Sequence, residues 1–303
     1  MEAGILSQVI LPFSIFIIML GIGLVLEWED FTRVLKEPKA FSIGIICQLL
    51  MLPLVGYLVV SLFSLTPELA LGLMILTFCP GGVMSNMFSY LYRGDVALSV
   101  SLTVLTSCLT PFTIPIFTAF MMQVLLDESQ QFSLPVMKTI IHLFVITVIP
   151  IMIGMMLHKK LPSFSARMVK PLRIFSITFL FIIIAAIVLK NWANMSGFFM
   201  QAGAATLTLN IFTMITGFLV AKLAHLKKPQ AISIAIEVCI QNGTLALMVS
   251  GTLLGSAVMT IPVVTYSLLM FVTGAVFGWL VNQNRNDFNR FKKMILVHRR
   301  FNL

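Results

Sequence analysis

Eleven acids occur in the 303-residue chain, and all but one are easy to place. Nine fall in polar breaks or at the ends of the sequence, and Asp95, in RGDVALS, stands where it can cap a following helix. The exception is Glu237, inside the apolar stretch AISIAIEVCIQNGTLALMVS. A carboxylate at membrane depth is costly unless it is paired, solvated, protonated or bound to a cation. No lysine or arginine lies in the apolar body of any span, which leaves a metal cation, a proton or local water.

A second stretch has the same character. PGGVMSN, at residues 80–86, follows LGLMILTFC and puts a proline, two glycines, a serine and an asparagine where lipid should be. Unwound backbone there frees carbonyls for a cation. The half-helix beyond it presents N–H groups to an anion. Such a break survives in a membrane only where it is buried in protein or lines a cavity. Taken alone, the glycine pair reads equally well as a packing notch. The oxygen donors around it favour more. Gln48, Ser85, Asn86, Ser99, Thr103, Glu237, Gln241 and Asn242 lie in four spans, and oxygen ligands without thiolate or imidazole suit a hard cation. Ser99 and Thr103 stand at i and i+4, on one helix face.

The elements that must position these groups are membrane helices. The chain is 59% hydrophobic and 10% charged, with a mean hydropathy of +1.02, too apolar for a water-soluble surface. Nine apolar segments reach the ~20 residues a bilayer requires, at 5–26, 39–63, 66–92, 95–124, 135–158, 168–189, 197–224, 229–254 and 257–281. With nine spans, all but Lys138 and Lys190 of the 20 lysines and arginines fall on one side. Arg93, Lys159, Lys160, Arg167, Lys170 and Arg173 are among them. The positive-inside rule then predicts an external N-terminus and a cytoplasmic C-terminus. The net charge of +9 reads as basic cytoplasmic loops and a basic tail at 286–303 that touches anionic lipid, with no nucleic-acid partner.

The two broken stretches are the middle members of span triplets 2–3–4 and 7–8–9. That placement points to inverted repeats, about 1–130 and 135–285, within a single transmembrane domain. Cys47, Cys79, Cys108 and Cys239 sit in apolar segments and read as reduced packing residues. No nucleophile–base pair and no phosphate-cradling loop occurs, so an enzyme is not expected.

PGGVMSNMFSYLYRGDVALSVSLT and the later E-V-C-I-Q-N resemble the paired signatures of the bile acid:sodium symporter family, in its bacterial form. The resemblance implies an all-α core of two inverted triplets with crossing broken helices, beside a panel of the other spans. It implies symport by alternating access and two sodium sites sharing Glu237. One would use Ser85, Asn86, Ser99, Thr103 and Glu237. The other would use Gln48, Glu237, Gln241 and main-chain oxygens of Val238 and Ile240. Substrate would lie near Gly82, Val83 and Asn242, with Thr265 and Ser267 as further polar candidates. Val83 replaces a hydroxyl common in the family, and Phe271 and Val272 stand where many relatives carry His-Asn. The expected substrate is therefore an organic anion smaller than a bile acid, such as a pantoate-like carboxylate, and the expected location a bacterial inner membrane. A proton-coupled carrier or exporter on the same fold, with Glu237 as proton carrier, is the alternative.

Overall fold

A computed structural model of the chain describes residues 9–27, 37–126, 132, 134–190 and 192–282, with backbone alone at 190, 192–196 and 198. These residues form helices and, among those described, no strand. In chain order they are α1 (Leu11–Gly23), α2 (Pro38–Phe63), α3 (Pro67–Phe78), α4 (Val83–Leu91) and α5 (Val96–Leu125). There follow α6 (Val136–Lys160), α7 (Pro162–Lys190), α8 (Trp192–Leu223), α9 (Lys228–Cys239), α10 (Gly243–Leu247) and α11 (Ala257–Val281). A π-helical turn at Met248–Leu253 continues α10.

Seven helical spans are long and apolar enough to cross a bilayer, and eight if the bent pair α3–α4 counts as one. The first expected span is represented by α1, only 13 residues long. The opening of that span, and the basic tail at 286–303, lie outside the described residues. Elsewhere the expected spans recur with shifted ends. The expected spans 135–158 and 168–189 leave a break between them, yet α7 begins within it at Pro162 and leaves only Leu161 between helices. Proline at a first helical position gives up no hydrogen bond, and the residues after it suit a helix.

Helices α1, α6 and α7 pack on one another as one layer. At one end of it His158 Nδ1 lies 2.7 Å from the Leu24 carbonyl. Its helices approach to backbone contact, since a Cβ on Gly154 would overlap the Leu20 carbonyl oxygen. The other layer is built around α9, which touches α2, α4, α5, α8 and α11. The whole apolar window of the Lys228–Leu253 span is buried within protein, against 22% for α7. An acid is tolerable only on the span most shielded from lipid, and Glu237 is on that span.

Two polar turns close hairpins in similar ways. Asp95 caps α5, accepting from Leu98 N at 3.0 Å, as the sequence suggests. Ser256 caps α11, accepting from Met259 N at 3.2 Å. Each follows a left-handed residue, Arg93 (φ 58) or Gly255 (φ +67).

Candidate functional site

The first break starts at Pro80, which forces the preceding residue away from helical angles. Cys79 is accordingly extended (φ −76, ψ 152), and so is Gly82 (φ −160, ψ −166). The axis turns by 64° between α3 and α4. At the second break Ile240 (φ −107, ψ 95) ends α9, and Asn242 restarts the chain by accepting from Leu245 N at 3.1 Å. This interruption bends less, so Lys228–Leu253 still counts as a single span. The breaks meet directly: the Asn242 main-chain N–H donates to the Pro80 carbonyl at 2.9 Å.

Glu237 lies at this junction, 1% exposed. Thr103 donates to its Oε1 at 2.6 Å, and Ser99 donates to its Oε2 at 3.2 Å. The same two hydroxyls face Asn86 Oδ1, at 3.2 and 2.9 Å. A hydroxyl has one proton, so each faces two acceptors with one hydrogen. Ser89 adds one more, donating to Ser99 Oγ at 3.1 Å. The Ser85 hydroxyl accepts from Gly82 N at 3.1 Å and donates to the Gly82 carbonyl at 2.8 Å. The cluster has more lone pairs than protons and a formal negative charge. Among the described residues no three His, Cys, Asp or Glu side chains gather as a metal site, so the donor set is oxygen from carboxylate, hydroxyl and amide. That chemistry fits a hard, weakly polarising cation.

A second cluster adjoins the first through the same glutamate. Gln48 Nε2 donates to the Cys79 carbonyl and to Gln241 Oε1, both at 3.0 Å. Gln241 Nε2 donates to the carbonyls of Val238 at 2.8 Å and Glu237 at 3.2 Å. Gln48 Oε1 is buried with no partner. Two amide groups thus cover three main-chain carbonyls that helix breaks and turns have freed, and one amide oxygen is left over. Carbonyls and a spare amide oxygen are again hard-cation ligands. Ile240, the other main-chain donor expected here, is the first residue of the break.

The substrate candidates divide. Val83 lines a cavity of about 430 Å³ between α1 and α7 on one side and α4 and α5 on the other, and Asn86 lines it too. Gly82 and Asn242 lie at the meeting of the breaks. Thr265 donates to its own helix at Ile261 O, 2.9 Å away, and is wholly enclosed. Ser267 is equally enclosed, its hydroxyl unpartnered and set against Gly243, where a Cβ would overlap it. Phe271 stacks on Phe181 with centroids 5.8 Å apart, and Val272 faces outward.

Three features went unseen in the sequence. Asn210 Nδ2 and Tyr266 Oη both donate to the Cys239 carbonyl at 2.9 Å, and Thr273 donates to Asn210 Oδ1. Asn210 is a lone amide in an apolar run, the same signal that marked Gln48. Main-chain carbonyls such as that of Cys79 carry no sequence signal. Arg173, counted among the residues of the basic side, lines the cavity.

A helical membrane protein whose interrupted spans join around one buried carboxylate has the construction of a carrier. The chain matches the model of the Sodium Bile acid symporter family over residues 12–198 and belongs to that family, a family of transporters and not of enzymes. It is 29% identical to the uncharacterized sodium-dependent transporter YocS of Bacillus subtilis, over 76% of this chain and 70% of that one. It is 26% identical to the probable sodium/metabolite cotransporter BASS1, chloroplastic, of Arabidopsis thaliana, over 86% and 64%. It is 28% identical to a sodium-dependent organic anion transporter of Bos taurus, over 77% and 61%.

Proposed function

We propose that the protein is a sodium-coupled symporter of an organic anion that works by alternating access. The carrying observation is the setting of Glu237. A buried carboxylate without a cationic partner among the described residues is surrounded by hydroxyl and amide oxygens short of protons. A bound cation supplies the missing charge. Sodium at the first site would take oxygens from Ser85, Asn86, Ser99, Thr103 and Glu237. Sodium at the second would use Glu237, the carbonyls of Val238 and Ile240, and the side chains of Gln48 and Gln241 with their amide oxygens turned inward. One charge shared between two monovalent ions keeps either from being held too tightly to leave.

Family membership and the names of the relatives support sodium coupling. Inverted repeats are supported by matching joints. An amide from α2 reaches the Cys79 carbonyl at the first break, and an amide from α8 reaches the Cys239 carbonyl at the second. The repeats run over about 1–130 and 135–285, with the N-terminus outside and the C-terminus in the cytoplasm of a bacterial cell. Substrate binds beside Gly82, Val83 and Asn242. Thr265 and Ser267 join only in a conformation that uncovers them. Two sodium ions with one monoanion make the cycle electrogenic.

The test is melting temperature in detergent as sodium replaces choline at constant ionic strength, for wild type and Glu237→Gln. A ligand that binds only the folded state stabilises by RT ln(1 + [L]/Kd) per site. Wild type should rise with sodium and the variant should not. A wild type indifferent to sodium but responsive to pH, with a flat variant, would replace this reading by the proton-coupled one.

A further inference from the structure

The cavity next to the sodium cluster is apolar on almost every side. Val83, Met87 and Tyr90 face it from α4 and Val169 from α7. Asn86 supplies an amide, and Arg173 is the one charged residue in the lining. Its volume of about 430 Å³ lies in the range of small-molecule sites, about 300–1,000 Å³.

Arg173 is exposed and stands about one turn inside the end of the helical layer. Its neighbour Leu172 packs on Gly21 in the last turn of α1, three residues before the Leu24 that meets His158, where a Cβ would come 3.2 Å from Leu172 Cβ. α7 starts at Pro162 and runs inward, so Val169 is the shallower lining residue and Arg173 the deeper. Seven residues further on, Leu180 reaches the second break, its Cδ1 3.6 Å from where a Cβ on Gly243 would stand. Seven residues are about 10 Å of helix, or two turns. Arg173 therefore sits about two turns from the breaks, on the α7 wall of the cavity, with Asn86 on the α4 wall. It pairs with no acid among the described residues.

We infer that Arg173 selects the transported anion, holding its charged group while the apolar body lies along Val83 and Met87 toward Asn86. This rests on the transporter reading and adds to it the residue that meets the charged end of the anion. A guanidinium suits this role because it presents fixed donors to a carboxylate or sulfonate and keeps its charge in poor solvent. An acidic lipid headgroup carries similar chemistry, and the test must separate the two.

The experiment uses purified full-length protein in sodium-saturated nanodiscs. The probes are aromatic and alicyclic monocarboxylates, 4-phenylbutyrate among them, each compared with its primary amide. Wild type should bind acids more tightly than amides. Arg173→Gln should reduce that preference about tenfold or more, the loss expected for one charge-assisted pair, while amide affinity and sodium-dependent stabilisation persist. Arg173→Lys should retain most of the preference. If no acid outbinds its amide in wild type, or Arg173→Gln leaves the preference intact, the inference is overturned while the sodium response still supports the symporter. An unchanged preference with stability that depends on acidic lipid in wild type alone would assign Arg173 to the headgroups. Absence of any sodium response would instead remove the symporter reading beneath it.

Discussion

The two glycines after Pro80 should respond very differently to alanine. Neither adopts a left-handed backbone, since Gly255 is the only described glycine with positive φ. Their difference is space. A Cβ on Gly81 would overlap Glu237 Oε1, stand 2.5 Å from its carboxyl carbon and 2.9 Å from Ser85 Oγ. Ordinary carbon contacts need about 3.5–4.0 Å, so the carboxyl group must retreat by about 1 Å. The Thr103 hydrogen bond, now 2.6 Å, would then stretch beyond useful length. A carboxylate moved by about 1 Å no longer converges with the other oxygens on one cation, and a contact with a charged group contributes about 1.5–3 kcal/mol, so Gly81→Ala should weaken sodium binding roughly ten- to hundredfold with every proposed ligand still present. A Cβ on Gly82 meets nothing closer than Asn242 at 4.0 Å, and its extended backbone accepts any residue. Gly82→Ala should change sodium affinity by less than about 0.5 kcal/mol. The assay is the sodium-dependent melting shift of both variants and wild type. Equal sodium affinities for Gly81→Ala and wild type would refute the placement of the carboxylate against Gly81. A large loss in Gly82→Ala alone would refute the contrast.

Two further variants probe the amide joints. Gln48→Leu removes a proposed ligand of the second site and leaves the Ser99–Thr103–Glu237 cluster whole. Its sodium dependence of uptake should lose steepness toward a single-ion curve, and an unchanged steepness would exclude Gln48 from a second site. Asn210→Ala takes one of two donors from the Cys239 carbonyl and the acceptor from Thr273, all buried. It should lower stability by about 1–3 kcal/mol in sodium and choline alike, with the sodium-induced shift preserved. An unaltered melting temperature would mean that this joint contributes nothing.

What could be read from the sequence was whatever is expensive in lipid. Glu237, Gln48, Asn86 and Gln241 stood out because each is a polar group in an apolar run, and the structure gathers them. Asp95 stood out as a cap because turn chemistry is local. The identity of the bond partners was not legible. The Cys79 carbonyl holds Gln48, and the Pro80 carbonyl holds the second break, yet backbone atoms have no letter. Depth along a helix was also hidden. Arg173 reads from the sequence as one of the basic-side residues at the start of its span, and nothing in its letter shows that helix α7, starting at Pro162, puts it in the cavity lining. Which hydroxyls leave their own helix was not legible either. Ser99 and Thr103 point across to Glu237, whereas Thr265 bonds to its own helix as such hydroxyls usually do.

Asn86 gives the proposed coupling a physical form. Its side chain lines the cavity, and its Oδ1 accepts from both hydroxyls that also hold Glu237. A cation among these oxygens would compete for the same lone pairs and change where the amide points. The cavity wall would then differ between the sodium-bound and sodium-free protein. Glu237 extends the link, since its carboxylate belongs to the first cluster and its main-chain carbonyl to the second. A ligand shifts an equilibrium only by its differential affinity for the two states. Here the difference would arise at shared residues and needs no long pathway: Asn86 is at once cavity wall and proposed ion ligand, and Glu237 is at once proposed side-chain ligand and backbone at the edge of the break. On the proposed reading, binding at either sodium site would therefore alter the surface offered to the anion, and by reciprocity the anion would alter sodium affinity by the same factor.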